Sequence, residues 1–338
     1  VLGTAVGDAL GLPREGLSRQ RAARYYGDEL SHRFLWGRGM LSDDTEHTTL
    51  VGQALLAAGD DPERFARSLG WRLRGWLLAC PAGLGFATLR SLLKLCLGFP
   101  PARSGVSSAG NGPVMRAPIL GVCLGDTPRM RELLRIATRV THTDPRAEEG
   151  ALVAALAAHA SAAPDFAPAP FLERLRSELS GAELLGALDR IEVHLERGDE
   201  PAGFAEALGQ PRGISGYVNH TVPAVLYCFL ASPDDFALAL RRVIALGGDA
   251  DTTGAILGGI AGARVGVAGI PELWVAGVRD YPRSLPWLRE LARRLHLRFA
   301  AGESPGPLSM AWPVTPLRNA LFLTVVLAHG FRRLLPPY

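Results

Sequence analysis

Apolar residues return every three or four positions along most of this chain, and that spacing leaves room for little besides helices. Ala and Leu carry the pattern through Thr45–Ala58, Pro62–Leu78, Met130–Val140, Ala147–Ala160 and Ala182–Leu195. It continues through Pro233–Leu246, Thr252–Val267, Leu285–Leu295 and Leu317–Leu334, with a shorter helix expected over Met115–Val122. The punctuation agrees: Gly59 closes one helix, Asp60–Pro62 opens the next, and Ser232–Pro233 opens another. Alternating runs long enough for strands are nearly absent. The expected fold is all-α.

A chain of 338 residues, 48% hydrophobic and 20% charged, can bury a large core. Turn-rich stretches at Gly98–Asn111, Ala160–Pro170, Gly209–Gly216 and Gly302–Pro316 are too short to link domains, and no fixed-period repeat is visible. One domain spanning residues 1–338 is therefore expected, with a start that looks cut because Val1 falls inside an apolar helical pattern. Gly254, Gly258 and Gly262 lie four apart on one expected helix, which predicts close packing against a neighbour.

The net charge of +3 comes from scattered arginines, with Lys94 the only lysine, so no basic block points to nucleic acid as a direct partner. Cys80, Cys96, Cys123 and Cys228 lie at irregular spacings in apolar contexts and read as reduced core thiols, which suits the cytoplasm. Val1–Leu12 has no basic start and is broken by glycines, unlike a signal peptide. Ala320–Ala328 covers about half of the ~20 apolar residues a membrane span needs. It reads as a terminal core helix, and no membrane partner is expected.

Two acid-rich segments stand out. Ser42-Asp43-Asp44-Thr45-Glu46-His47 places an N-cap serine before two aspartates in a first helical turn. Gly248-Asp249-Ala250-Asp251-Thr252-Thr253 repeats the arrangement between strongly apolar flanks. Acids at helix starts gain a few tenths to ~1 kcal/mol from the macrodipole, which alone could explain either segment. If the two converge, however, four carboxylates meet, and each pair ~4 Å apart repels by about 4 kcal/mol at an effective dielectric of ~20. Two divalent ions would balance that charge. Carboxylate and hydroxyl oxygens are hard donors, favouring Mg²⁺, with Mn²⁺ next, over zinc or copper. His47 could help orient a ligand. Hydrolysis by a metal-activated water leads over diphosphate ionisation, because Asp43-Asp44-Thr45-Glu46-His47 lacks the last acid of a DDxxD motif and aromatic residues are only 7% of the chain.

In this order the motifs resemble those of the ADP-ribosylglycohydrolases. Gly3-Thr4-Ala5-Val6-Gly7-Asp8-Ala9-Leu10-Gly11 is similar to the family's opening helix, and Glu15 follows it. Ser42-Asp43-Asp44-Thr45 resembles the first metal motif, Gly110-Asn111-Gly112-Pro113-Val114-Met115-Arg116 a G-N-G-x-x-M-R loop, Thr141-His142 a central T-H motif, and Gly248–Gly254 the second metal motif. The resemblance implies an orthogonal multi-helix bundle with two Mg²⁺ (or Mn²⁺) ions in a cleft. The implied ligands are Ser42, Asp43, Asp44, Asp249, Asp251 and Thr252, with Asp251 bridging. Glu15, Asp43 and Asp44 are then rival catalytic carboxylates, and Asp8 supports the site or packs structurally. Gly110, Asn111, Gly112 and Met115 would meet a diphosphate, to which His142 would donate, while Ser215, Gly216 and Tyr217 would line the adenosine end. Pro113 and Val114 depart from the family's small residues at these positions, and Pro113 lacks an N–H.

The implied substrate is an ADP-ribosylated protein or a small ADP-ribosyl conjugate cleaved at C1″, with arginine the first acceptor to consider. Serine-linked or O-acetyl-ADP-ribose is a second reading. A non-catalytic, crystallin-like binding protein is a third, which loss of metal ligands would favour, yet all six positions are retained.

Overall fold

The computed structural model describes residues 1–27, 29–34 and 36–335. Among these the chain forms eighteen α-helices, beginning with α1 (Leu2–Gly11), α2 (Arg19–Tyr26), α3 (Asp43–Ala58), α4 (Pro62–Leu78), α5 (Phe86–Cys96) and α6 (Pro101–Ser104). Next come α7 (Pro118–Leu124), α8 (Pro128–Arg139), α9 (Pro145–Ser161), α10 (Pro168–Glu178), α11 (Ala182–Arg197) and α12 (Pro201–Ala207). The last six are α13 (Val218–Leu230), α14 (Phe236–Ala245), α15 (Ala250–Val265), α16 (Glu272–Gly277), α17 (Leu285–Phe299) and α18 (Thr315–Arg332). The only ladder among the described residues is a two-residue antiparallel pair, β1 (Leu17–Ser18) with β2 (Gly247–Gly248), in the register Leu17↔Gly248.

The centre of the fold is the pair α1–α15, and glycine is the reason the two pack so closely. Gly3 and Gly7 on α1 face Gly258 and Gly254 on α15. A Cβ at Gly258 would stand 2.2 Å from the Gly3 carbonyl oxygen, and one at Gly7 would stand 2.0 Å from that of Gly254. Only hydrogens fit there, so backbone meets backbone. The expected packing role of Gly254 and Gly258 is thus observed. Around this pair one continuous apolar core runs from Leu2 to Leu295, drawing on α3, α4, α9, α13 and α14.

Side-chain caps set several of the helix starts. Ser42, Asp61, Thr127, Asp144, Asp235 and Ser284 each accept a backbone N–H from the first turn of α3, α4, α8, α9, α14 and α17, respectively. The helix expected from Pro233 begins only at Phe236 because Asp235, not Ser232, is the cap. Of the segments read as loops, Gly98–Asn111 contains the single turn α6, Ala160–Pro170 is shortened from both ends by α9 and α10, and α18 starts inside Gly302–Pro316.

Two expectations need correction. The thiols are all free, but Cys80 and Cys96 are exposed and Cys123 is half-buried, which leaves Cys228 alone in the core. The stretch Trp312–Arg332 is not a core helix: by length and composition it could cross a membrane, and only 22% of its apolar window is buried. In α18 the buried residues are Thr315, Arg318, Asn319 and Phe322, while Leu317, Leu321, Leu323 and Leu327 face outward. The helix is held by its polar residues, which an apolar pattern does not reveal.

Candidate active site

Asp8, two turns into α1 and fully buried, organises the first acid cluster. Its carboxylate accepts the Ser42 N–H at 3.0 Å and the Thr45 N–H at 3.2 Å, together with the Thr45 hydroxyl at 2.5 Å. A side chain from one helix therefore caps the start of another and fixes where α3 begins. Burial raises the Asp8 pKa to about 6 despite these bonds.

The second cluster reaches the same place through the small ladder. Gly16 N–H donates to the Gly248 carbonyl at 2.8 Å, and Asp249 N–H donates to the Ile214 carbonyl at 2.8 Å. Gly248 has φ +78°, and a Cβ there would lie 2.1 Å from the Ile214 oxygen, so a glycine is required. The junction sets Glu15 beside Asp249 and lets α15 start with Asp251 and Thr252 facing α3. Thr252 Oγ1 then donates to Asp44 Oδ2 at 3.2 Å, across 208 positions of sequence. Ser42 Oγ donates to the same oxygen at 3.0 Å. The two helix starts meet.

Five carboxyls in this space are pushed upward in pKa. For Asp43 the causes are burial, then the charges of Asp8, Glu15 and Glu46. For Asp44 they are burial, then Asp43, Asp8 and Asp249; for Asp251, burial, then Glu15, Asp44, Asp249 and Asp8. Glu15 is raised by its packed surroundings and by Asp249, with Arg333 opposing. Asp8 is the fifth. Asp44 Oδ1 and Asp251 Oδ1 are buried without any hydrogen-bond partner, a costly condition for polar atoms. Among the described residues no three His, Cys, Asp or Glu side chains stand close enough to hold an ion by themselves, so any cation here would draw on the hydroxyls of Ser42 and Thr252 as well.

A cleft of about 500 Å³ opens over these groups, lined by Glu15, Asp43, Asp249, Asp251, Thr252, Gly110, Asn111, Gly112, Met115, His142 and Gly216. A shallower hollow of about 450 Å³ adjoins it on the far side of Glu15 and includes Ser215 and Gly216. Asn111 is buried, and its Nδ2 donates to Asp249 Oδ2 at 2.7 Å and Thr221 Oγ1 at 2.9 Å, tying the glycine loop to the second acid cluster. Two backbone N–H groups of the residues expected to meet a diphosphate already have partners in the fold: Asn111 donates to the Gly216 carbonyl and Gly110 to Ser108 Oγ. The loop pairs with Gly216–Tyr217 and has to satisfy its own backbone there.

His142 is buried, its Nδ1 lies 2.9 Å from Thr141 Oγ1, and burial with nearby Arg116 brings its pKa down to about 3, so the ring is neutral. Tyr217 lines neither hollow. Its hydroxyl donates to Glu183 Oε2 at 2.6 Å and accepts from Arg146, pinning it to the start of α11. His47 also lies apart: its Nδ1 accepts from Arg116 at 2.7 Å and its ring packs edge-on to Trp76. Sequence reasoning missed Phe86, Thr88, Arg90 and Ser108, which line the cleft. The Gly83-Leu84-Gly85 turn before Phe86 was the one available signal.

The all-α fold brings the acid-bearing starts of α3 and α15 together, and the chain belongs to the ADP-ribosylglycohydrolase family, matching it over residues 1–305. Among its relatives, the ADP-ribosyl-[dinitrogen reductase] glycohydrolase of Rhodospirillum rubrum is 30% identical over 289 residues, covering 81% of this chain and 87% of the relative. An uncharacterized protein of Archaeoglobus fulgidus is 33% identical over 306 residues, covering 88% and 94%. ADP-ribosylhydrolase ARH3 of Mus musculus is 29% identical over 299 residues, covering 76% and 77%. A solved structure described as an ADP-ribosylglycohydrolase-related protein complex superposes with a TM-score of 0.65 at 29% identity, covering 87% of this chain and 94% of its own.

Proposed function

We propose that this chain is a single-domain cytoplasmic hydrolase that cleaves the C1″ bond of ADP-ribose attached to a protein side chain, arginine being the first acceptor to test. Serine-linked and O-acetyl-ADP-ribose are the alternatives. One observation carries the reading: Asp44 and Thr252 touch at 3.2 Å, so both acid clusters share the floor of a single cleft.

The groups present suit divalent cations. Their donors are carboxylate and hydroxyl oxygens, the acids repel one another, and two buried carboxylate oxygens have no other partner. Ser42, Asp43, Asp44, Asp249, Asp251 and Thr252 would hold two Mg²⁺, or Mn²⁺. When bound, such ions relieve the repulsion, orient ribose hydroxyls and acidify a nearby water. Glu15 lines the cleft, where a carboxylate can take a proton from water and return one to the leaving side chain. Asp43 is the rival for that step. Asn111 holds Asp249 in place, and neutral His142 lines the cleft without adding charge beside a phosphate.

The test is a panel of arginine-, serine- and glutamate-linked ADP-ribosyl peptides, with released ADP-ribose read by mass. Release is expected with Mg²⁺ or Mn²⁺ and not after chelation. Turnover that ignores the chelator removes the metal from the reading, and no release from any peptide removes the activity.

A further inference from the structure

We propose that α18 is a clasp that sets two of the segments bearing the site's acids, the one before Ser42 and the one ending at Glu15, with Arg333 and Arg318 as positioning residues. The proposal rests on the reading of Glu15 and Ser42–Asp44 as active-site groups. α18 lies beyond residues 1–305, the part of the chain matched to the family.

At its first turn, Arg318 donates to the Leu41 carbonyl at 2.5 Å and to Asp280 Oδ1 at 3.0 Å. Asp280 Oδ2 in turn accepts the Leu41 N–H at 3.0 Å. Both backbone groups of the residue before Ser42 are thus fixed from α18 or through its partner. In the middle, Phe322 completes a small apolar cluster with Leu12, Phe34 and Met40, separate from the main core. At the far end, His329 lies 3.1 Å from the Pro13 carbonyl, and Arg333 donates to the Glu15 carbonyl at 2.7 Å and also to that of Pro13. Tyr25 from α2 donates to the Arg333 carbonyl at 2.6 Å and closes the loop.

Core building does not account for α18, whose leucines mostly face outward. Its polar residues bind carbonyls of the Pro13–Glu15 and Leu41 segments, and those are where an error of position would reach the acids. A guanidinium spanning two carbonyls fixes a direction that a single ammonium cannot.

The experiment uses the full chain with Arg333→Ala and Arg333→Lys, since removing Arg318 would strand buried Glu46 and Asp280 and could unfold the protein. In Arg333→Ala, backbone hydrogen exchange at residues 12–18 is expected to rise about tenfold while α1 and α15 keep their protection. kcat should fall about 10- to 100-fold, the scale of an ~1 Å misplacement, with KM little changed. Arg333→Lys should recover part of both. Exchange at the wild-type level in Arg333→Ala overturns the clasp, as does full kcat. If the wild-type protein releases no ADP-ribose at all, the functional reading fails separately, and the exchange at residues 12–18 alone decides the clasp.

Discussion

Asp251 is where the electrostatics of the cleft converge. It is buried, one of its oxygens has no partner, and four other acids push its pKa upward. Without cations, its charge is a liability to the fold. Asp251→Asn should therefore stabilise the chelated protein by on the order of 1 kcal/mol, a fraction of the about 4 kcal/mol for a full charge pair ~4 Å apart because protonation already relieves part. The same change should lower turnover about 100-fold or more, beyond the ~10–100-fold typical of a supporting partner. Thermal unfolding with and without Mg²⁺ checks the first effect, since the variant should also lose the stabilisation that Mg²⁺ gives the wild type, and release of ADP-ribose checks the second. Unchanged turnover with an unchanged Mg²⁺ response would remove Asp251 from the site. Residues of this kind were legible in the sequence because aspartate, serine and threonine at a helix start form a compact local pattern. Tyr217 was not: its pairing with the glycine loop spans more than a hundred residues, and the Glu183 and Arg146 partners that hold its hydroxyl come from α11 and α9.

Between elements, the decisive contact is α1 against α15, and it makes two glycines differ. Gly258→Ala puts a methyl 2.2 Å from the Gly3 carbonyl oxygen, which is backbone and cannot rotate away. The helices must part, at a cost of about 1–3 kcal/mol for an overpacked core. Gly186 in α11 has nothing within 4 Å of an added Cβ, so Gly186→Ala should gain about 0.5–1 kcal/mol from helix propensity alone. Denaturant midpoints that move the same way in both variants would sink this account of the helix pair. Periodicity exposed α4 and α11 because each buries one stripe and wets the other. It missed α5 and α10 despite their one-sided burial, and it failed for α13, which is buried on nearly every side and carries Pro223 inside, and for α2, where Ala22 alone is buried. A helix wholly inside and one almost wholly outside have no stripe to read. The meeting of the clusters was likewise an inference from charge, since nothing local says that α3 and α15 face each other.

Across the molecule, the acid cleft is backed by a buried charge network one turn further along α3. Glu46 Oε1 lies 2.7 Å from Arg283 Nη1 and 3.4 Å from Arg318 Nη1, while Oε2 accepts Trp76 Nε1 at 2.5 Å. One carboxylate thus links α3 to α4, to the segment before α17 and to α18. Arg283 and Glu46 are only 1% and 2% exposed, so water cannot take over if either is removed. Glu46→Ala leaves two guanidiniums in the interior short of their shared counter-charge, and a broken buried pair costs about 3–5 kcal/mol. An opposing effect is smaller: losing Glu46 removes one of the charges that raise the Asp43 pKa. Glu46→Gln keeps an acceptor for Trp76 and the side-chain volume, so its loss should be the lesser. If the network joins the elements as one body, calorimetry of both variants should show a single transition at lower temperature. A separate early transition would mean instead that α18 detaches by itself, and an alanine variant within about 1 kcal/mol of wild type would mean that the network contributes no net stability.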